Sequence, residues 1–566
     1  MKKIKLLLAA AALMVFAITL NSCSKDEATP DAPQATAPSG TTNVTVSTAT
    51  DISFDVTTPG GYKASTVTAT GGTAVVKTEP AAGAGSGAVV VTFTAGAAVS
   101  AGSVILVVTD NNAKSTTSTA VVSVVLKAPI EITSAITANT TWLATEKYLL
   151  KGNIFVQAPA ELTIPAGTII MGDKVTKGAL IVSRGAKIHA VGTAAKPIVF
   201  TSSAPKGFRN YGDWGGVVLL GKAQNNQSVD QPIEGISAPS GDNGKYGGDG
   251  SLDAESSGEL QYARIEFAGI ALTTDNELNG LTFGGVGSGT KVDHIQVSYS
   301  GDDSYEWFGG KVNTSYLIAY RGWDDEFDTD FGYSGFNQFL VSYRDPNIAD
   351  KSGSNGFESD NNANGDTKIP QTAATFANVT FFGPFMYAVL NGSGALQTST
   401  VSANYGRGAH IRRNSALRVY NTVFAGANMT GVNFENAGAG AVFQGNYIGR
   451  IFGVAKATTG LTYNDANFAT ENTIEATLNG VDLNAKFAGA SIKSPIAATT
   501  AQLWDINQPS ALLAANSSLL TGAVTLPAFP TGFGFNTAVT YRGAFDATNN
   551  WSTSTWTNYD PNNTEY

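Results

Sequence analysis

The sequence predicts an all-β protein: a small immunoglobulin-like β-sandwich followed by a right-handed parallel β-helix. Two observations predict the β-helix. Beyond Lys127 the chain reads strand, turn, strand, with no convincing helical periodicity, and one segment repeats at 22-residue spacing. The repeat runs Ile295-Gln296-Val297-Ser298-Tyr299, then Leu317-Ile318-Ala319-Tyr320-Arg321, then Phe339-Leu340-Val341-Ser342-Tyr343. Alternation places Ile295 and Val297, Leu317 and Ala319, and Phe339 and Val341 on one face, and a period of about 22 residues suits one turn of a β-helix. A third observation predicts the sandwich. Alternating runs such as Ile52-Ser53-Phe54-Asp55-Val56 and Val104-Ile105-Leu106-Val107-Val108 are separated by Gly-rich turns between residues 43 and 127.

Taken in order, residues 1–22 read as an export signal, with Lys2, Lys3 and Lys5 ahead of an apolar stretch too short to be a spanning helix. The signal ends in Leu20-Asn21-Ser22-Cys23, which resembles the lipobox of bacterial lipoproteins, so Cys23 is the expected lipidation site. Cys23 is the only cysteine, which excludes internal disulfides and thiolate zinc sites. Ser24-Lys25-Asp26-Glu27 resembles a surface-export signal, and residues 23–42 read as a lipidated tether rich in Ala, Pro, Thr and Ser. The sandwich (43–127) has only Phe54, Tyr62 and Phe93 as aromatics, enough for a core and none to spare for a binding face, so it reads as a spacer. Residues 128–566 read as the β-helix. Tyr541 to Phe545, Trp551 and Trp556 are the expected C-terminal cap, because a solenoid needs its core closed.

Three strings carry a family resemblance: Asn210 to Gly216 (NYGDWGG), Gly301 to Gly310 (GDDSYEWFGG) and Gly353 to Asp360 (GSNGFESD). Residues 130 to 566 resemble an uncharacterised group of Bacteroidota surface lipoproteins with a pectin-lyase-like β-helix. The resemblance supplies no activity. It implies an outer-membrane, lipid-anchored position facing the cell exterior.

The 566 residues carry a net charge of −10. Between Asp293 and Asp366 there are 14 acids against 4 bases, so this stretch holds the whole excess. A chain without a basic footprint is not expected to bind nucleic acid. The 22-residue spacing sets Asp302 and Asp303 in register with Asp324 and Asp325, and Glu306 with Asp328 and then Asp350. Carboxylates stacked about 4.8 Å apart repel by roughly 1 kcal/mol in water and by more when buried. Protons, basic partners or a hard cation must offset this. Calcium, which takes six to eight oxygens, is the expected cofactor, with Asp302, Asp303, Glu306, Asp324, Asp325, Asp328 and Asp330 as candidate ligands. The alternative is a set of solvated turns. Trp307 and Trp323 flank the acids and could either present a sugar-binding groove or pack inward; Arg321, Arg344, Glu358 and Asp360 complete the candidate ligand site.

Enzymatic motifs are scarce. His189, His294 and His410 are too widely spaced for a local metal motif, no GxSxG element is present, and His294 is expected to point outward. Gly408-Ala409-His410-Ile411-Arg412-Arg413 echoes elements of pectin hydrolases but departs from them at Ala409 and Ile411. The leading expectation is a surface lipoprotein whose calcium-dependent acidic flank binds glycan, captures polysaccharide for an outer-membrane transporter, or docks a partner protein. A polysaccharide lyase or glycoside hydrolase on the same flank, with Arg321 or Arg344 as a lyase base, and a structural or adhesive β-helix remain as alternatives.

Overall fold

The computed structural model describes residues 29–236, 241–273, 276–390, 397–451, 456–460, 465–488, 501–502 and 504–566. The signal segment and Cys23 lie outside the described residues. The chain divides into two units at Ala128–Pro129. No helix among the described residues is long and apolar enough to cross a membrane.

The first unit is a sandwich of two four-stranded sheets. Alternation builds its core: in Ser100–Asp110, Val104, Leu106 and Val108 are fully buried between the sheets, opposite Phe54, Val89, Val91 and Phe93. The sandwich begins earlier than residue 43. Gln34–Thr36 pairs antiparallel with Ala49–Thr57 in one sheet, and Thr41–Thr45 pairs parallel with Ser115–Val125 in the other. The expected tether is therefore shorter, because Ala35 and Ala37 are small enough to pack against the core while their backbone completes a sheet edge.

The second unit is a parallel β-helix. Its described strands form two long parallel sheets, one of 17 strands and one of 10, around a continuous apolar core. In the larger sheet Lys291–Ser298, Asn313–Tyr320, Phe336–Tyr343 and Thr375–Phe382 stack in turn. Each bends at one residue in the left-handed region: His294 (φ 55°), Tyr316 (56°), Phe339 (62°) and Asn378 (54°). A non-glycine residue there costs about 1 kcal/mol or more. The rings at this corner offset the cost by stacking, Tyr262 on His294 at 4.2 Å, His294 on Tyr316 at 4.5 Å and Tyr316 on Phe339 at 5.1 Å. His294 is thus half-buried in an aromatic ladder and bonded to Asp293 at 2.6 Å, not simply outward-facing.

The length of the coil also corrects the expected register, the step from Thr314 to Asn337 being one residue longer than that from Val292 to Thr314. Ile295 pairs with Leu317, as the repeat predicts, but Leu317 pairs with Leu340 and not with Phe339. Leu340 enters the core, while Phe339 takes the corner and Val341 the outer side. A slip by a single position exchanges the faces of a strand.

The expected C-terminal cap also lies elsewhere. Residues from 521 to 566 run along the outer side of the larger sheet, held by amide side chains from successive coils. Gln296 pairs with the backbone of Asn558 (2.7 and 2.9 Å), Gln338 with Asn536 (2.9 and 2.8 Å) and Asn421 with Val524 (2.9 and 2.7 Å). Trp556 meets Tyr262 and His294 edge-on, and Trp551 meets Tyr316. The far end of the core is met instead by the short helix Asp465–Glu471, which places Phe468 against Phe434 at 5.8 Å. Periodicity predicts neither this helix nor Gly480–Lys486, because each is only two turns long.

Candidate metal centre

The smaller sheet carries the site. Its strands Leu281–Gly284, Tyr305–Phe308, Phe327–Asp330, Ser354–Ser359, Tyr405–Arg412 and Thr430–Glu435 stack in that order. Leu281, Tyr305, Phe327, Phe357, Ala409 and Val432 face the core. Their neighbours therefore face out, and the register aligns Thr282, Glu306, Asp328, Glu358, His410 and Asn433 in one row. Two positions before the inward side chains stands a companion row: Asn279, Asp303, Asp325, Asn355, Arg407 and Thr430. Each coil thus presents a pair at positions i and i+3: Asn279/Thr282, Asp303/Glu306, Asp325/Asp328, Asn355/Glu358 and Arg407/His410. Glu306 and Asp328 are in register as expected, but the third rung is Glu358, not Asp350. The chain between Phe327–Asp330 and Ser354–Ser359 contains a longer excursion than the preceding turn, and this carries Asp350 past the row.

Seven carboxylates crowd here into three groups whose oxygens lie within 4.8 Å of one another. They are Asp302/Asp303/Asp324, Asp303/Glu306/Asp328 and Asp325/Asp328/Glu358. Asp303 is shared by the first two and Asp328 by the last two. The backbone helps to hold them. Asp303 accepts the N–H of Asp325 at 2.8 Å, and Asp325 accepts the N–H of Asn355. Burial, and then neighbouring carboxylates, push Asp302, Asp303, Glu306, Asp325 and Asp328 well above the ordinary range. Asp324 is pushed up to about 7, by burial first and Asp350 second. Such a ladder either holds protons or holds cations, and its carboxylate groups could bind a metal ion.

At one end the sign changes. Burial raises Glu358, but the bond from His410 and the Arg412 guanidinium outweigh it and hold Glu358 low. Arg412 also bonds Asp360 at 2.8 Å, and Arg413 bonds Asp360 at 2.7 Å. His410 reaches Glu435 at 2.9 Å. A cavity of about 220 Å³ lies here, with Asp324, Asp325 and Glu358 facing Arg407, His410 and Arg412, completed by Ser352 and Gly353. Of the three bases, Arg407 is the least committed, with a 3.5 Å bond to the Asn355 amide oxygen.

The remaining expected ligands divide. Asp330 lies in none of the three carboxylate groups; its carboxylate accepts the N–H of Phe331 at 2.6 Å. Trp307 is fully buried, stacked between Phe283 and Tyr333 at 5.5 Å each, because the alternation that turns Glu306 out turns Trp307 in. It has no face for a ligand. Trp323 is half-buried and meets Tyr211 edge-on at 5.3 Å. Arg321 is paired with Asp345 and Asn507, away from the row. Arg344 is fully buried, paired with Glu326 at 2.7 Å, and its guanidinium binds the carbonyls of Trp323, Asp324 and Ile348. It positions the acid-bearing loop and is not available as a base.

The structure adds His410, Arg407, Arg412, Asn279 and Thr282, which the sequence reading does not place at this site. A signal for two of them, Asn279 and Thr282, is present in the sequence: an Asn or Asp, two positions on an inward apolar side chain, then an oxygen donor. It recurs as Asn279-Gly-Leu-Thr282, Asp303-Ser-Tyr-Glu306, Asp325-Glu-Phe-Asp328 and Asn355-Gly-Phe-Glu358.

Comparison with known proteins agrees with this architecture. No curated protein and no solved structure matches the chain significantly. A pectate-lyase-like beta helix domain family matches residues 134–497, more than half of the chain. With two long parallel sheets around one core in the same region, the chain belongs to the pectate-lyase-like β-helix domain family.

Proposed function

We propose that the outer rows of the smaller sheet bind calcium and, through it, an acidic glycan. The observation that carries this reading is the continuity of the rows, in which stacked carboxylates run directly into a cavity lined by Arg407, His410 and Arg412. A hard cation relieves the repulsion among the acids and leaves coordination positions for an incoming oxygen. A carboxylate or sulfate on that ligand would then meet Arg407 across the cavity. Half-buried Trp323, next to Asp324 in the chain, and Tyr211 edge-on to it supply apolar ring surface of the kind sugars pack against. In this reading the chain is a surface lipoprotein anchored at Cys23, and it captures polysaccharide for an outer-membrane transporter or docks a partner.

A second reading is cleavage of the same glycan by a lyase. It is favoured by basic side chains standing opposite the carboxylates, Arg407 and His410 rather than Arg321 or Arg344. One experiment separates the two. The purified chain is incubated with acidic and neutral polysaccharides, with calcium or with EDTA. Calcium-dependent retention of acidic polysaccharide without new ends supports binding, and unsaturated products support the lyase. Equal retention in EDTA refutes both.

A further inference from the structure

The outer row of the smaller sheet changes character along its length. Upstream it is apolar: Phe155, Ile181 and Val218 precede Thr282 in register, and Ile233, Ile236 and Tyr246 pack over them. Downstream of Thr282 come Glu306, Asp328 and Glu358, and the last borders the 220 Å³ cavity. The carboxylate groups Asp303/Glu306/Asp328 and Asp325/Asp328/Glu358 therefore have different surroundings.

Two buried oxygens distinguish the first. Thr282 is 1% exposed and Asn279 2% exposed; Thr282 Oγ1 and Asn279 Oδ1 both lack a hydrogen-bond partner. Both residues face Glu306: Thr282 is its neighbour in the row, and the Asn279 amide donates to the Glu306 carboxylate. A buried oxygen left without a partner gives up its hydration with nothing in return. Two of them beside three carboxylates, one of which (Asp328) also has an unpartnered Oδ1, form an all-oxygen donor set.

We propose that the row holds two non-equivalent divalent cations bridged by Asp328. One is enclosed, bound by Asn279 Oδ1, Thr282 Oγ1 and the carboxylates of Asp303, Glu306 and Asp328. The other is open, bound by Asp325, Asp328 and Glu358, with its free positions turned toward the cavity. The enclosed ion staples three successive coils, and the open ion takes the ligand. This deepens the calcium reading above and rests on it.

The test uses the intact chain and calcium alone, then terbium as a luminescent substitute. Calorimetric titration is expected to give two calcium ions per chain in two affinity classes. Terbium lifetimes in light and heavy water are expected to resolve two populations, the tighter with fewer bound waters; this readout needs no variant. Thr282→Val, which continues the Val218 row, should weaken the tighter class by about tenfold and diminish the rise in melting temperature with calcium. Glu358→Gln should abolish the weaker class and retention of acidic polysaccharide, and keep the rise in melting temperature with calcium. One ion per chain, one hydration class, or identical losses in both variants would overturn the two-ion assignment and leave a single-ion glycan site standing. No calcium uptake at all would overturn both.

Discussion

Replacing Arg344 by methionine removes a charge from a place with no water. Arg344 and Glu326 are each fully buried and paired at 2.7 Å, and Glu326 has one other partner, the Ser342 hydroxyl, at 2.7 Å. Leaving a buried carboxylate without its countercharge costs about 3–5 kcal/mol. The carbonyls of Trp323, Asp324 and Ile348 lose their donor as well, at about 1 kcal/mol or more for each that water does not reach. Glu326 can limit the loss by taking up a proton, and burial already raises its pKa despite Arg344. Without Arg344 that pKa rises further above the unfolded value. The stability of the variant then falls as pH rises through the new folded value, so the deficit relative to the parent should grow as pH rises above the parent's own Glu326 value. Urea unfolding of the β-helix unit at several pH values measures this. Adding Glu326→Leu should recover the charge part of the loss but not the carbonyl part. A single variant that loses less than about 1 kcal/mol at pH 7, or a deficit independent of pH, would refute the argument.

Three further outcomes are expected. Free of cations, Asp324 titrates near 7 in the folded chain against an ordinary 3.8. Stability in EDTA should therefore be fullest below about pH 4 and decline as pH rises to about 7, whereas with calcium the decline should disappear; melting scans across pH check the sign. Trp307→Ala, which empties a fully buried ring site, should cost about 3–5 kcal/mol, while Trp323→Ala should reduce polysaccharide retention with little loss of stability, as paired melting and retention assays would read. Trp556→Ala removes a ring only 1% exposed between the C-terminal segment and the Tyr262–His294 stack; it should cost a similar amount and make residues beyond 540 the first to be cut in limited proteolysis.

Parts of the site are legible in sequence for a simple reason. Where turns between strands are of equal length, residues one coil apart in sequence are neighbours in space, so Glu306 over Asp328 follows from spacing alone. The same reasoning fails at the next rung. The excursion after Asp330 lengthens the step and brings Glu358 over Asp328, and loop length leaves no trace in strand alternation. It fails by a single position at Phe339 because the coil that leads from Asn313–Tyr320 to Phe336–Tyr343 is one residue longer than the coil before it, which shifts the pairing on both sides of the corner. Arg344 has the look of a free base because a sequence displays charge and not burial.

By itself the sequence determined the all-β class, the two-part division and the concentration of acid in one stretch, because alternation, turn residues and charge are local properties. It also contained the i, i+3 donor pairs, unread until the strands were stacked. Only the tertiary structure decided which acids share a cation-sized space, that Trp307 lies in the core, and that His410 and Arg407 follow Glu358 and Asn355 in the rows. Those depend on register between coils joined by turns of unequal length. Register is set by backbone pairing and core packing over the whole solenoid, and no local pattern encodes it.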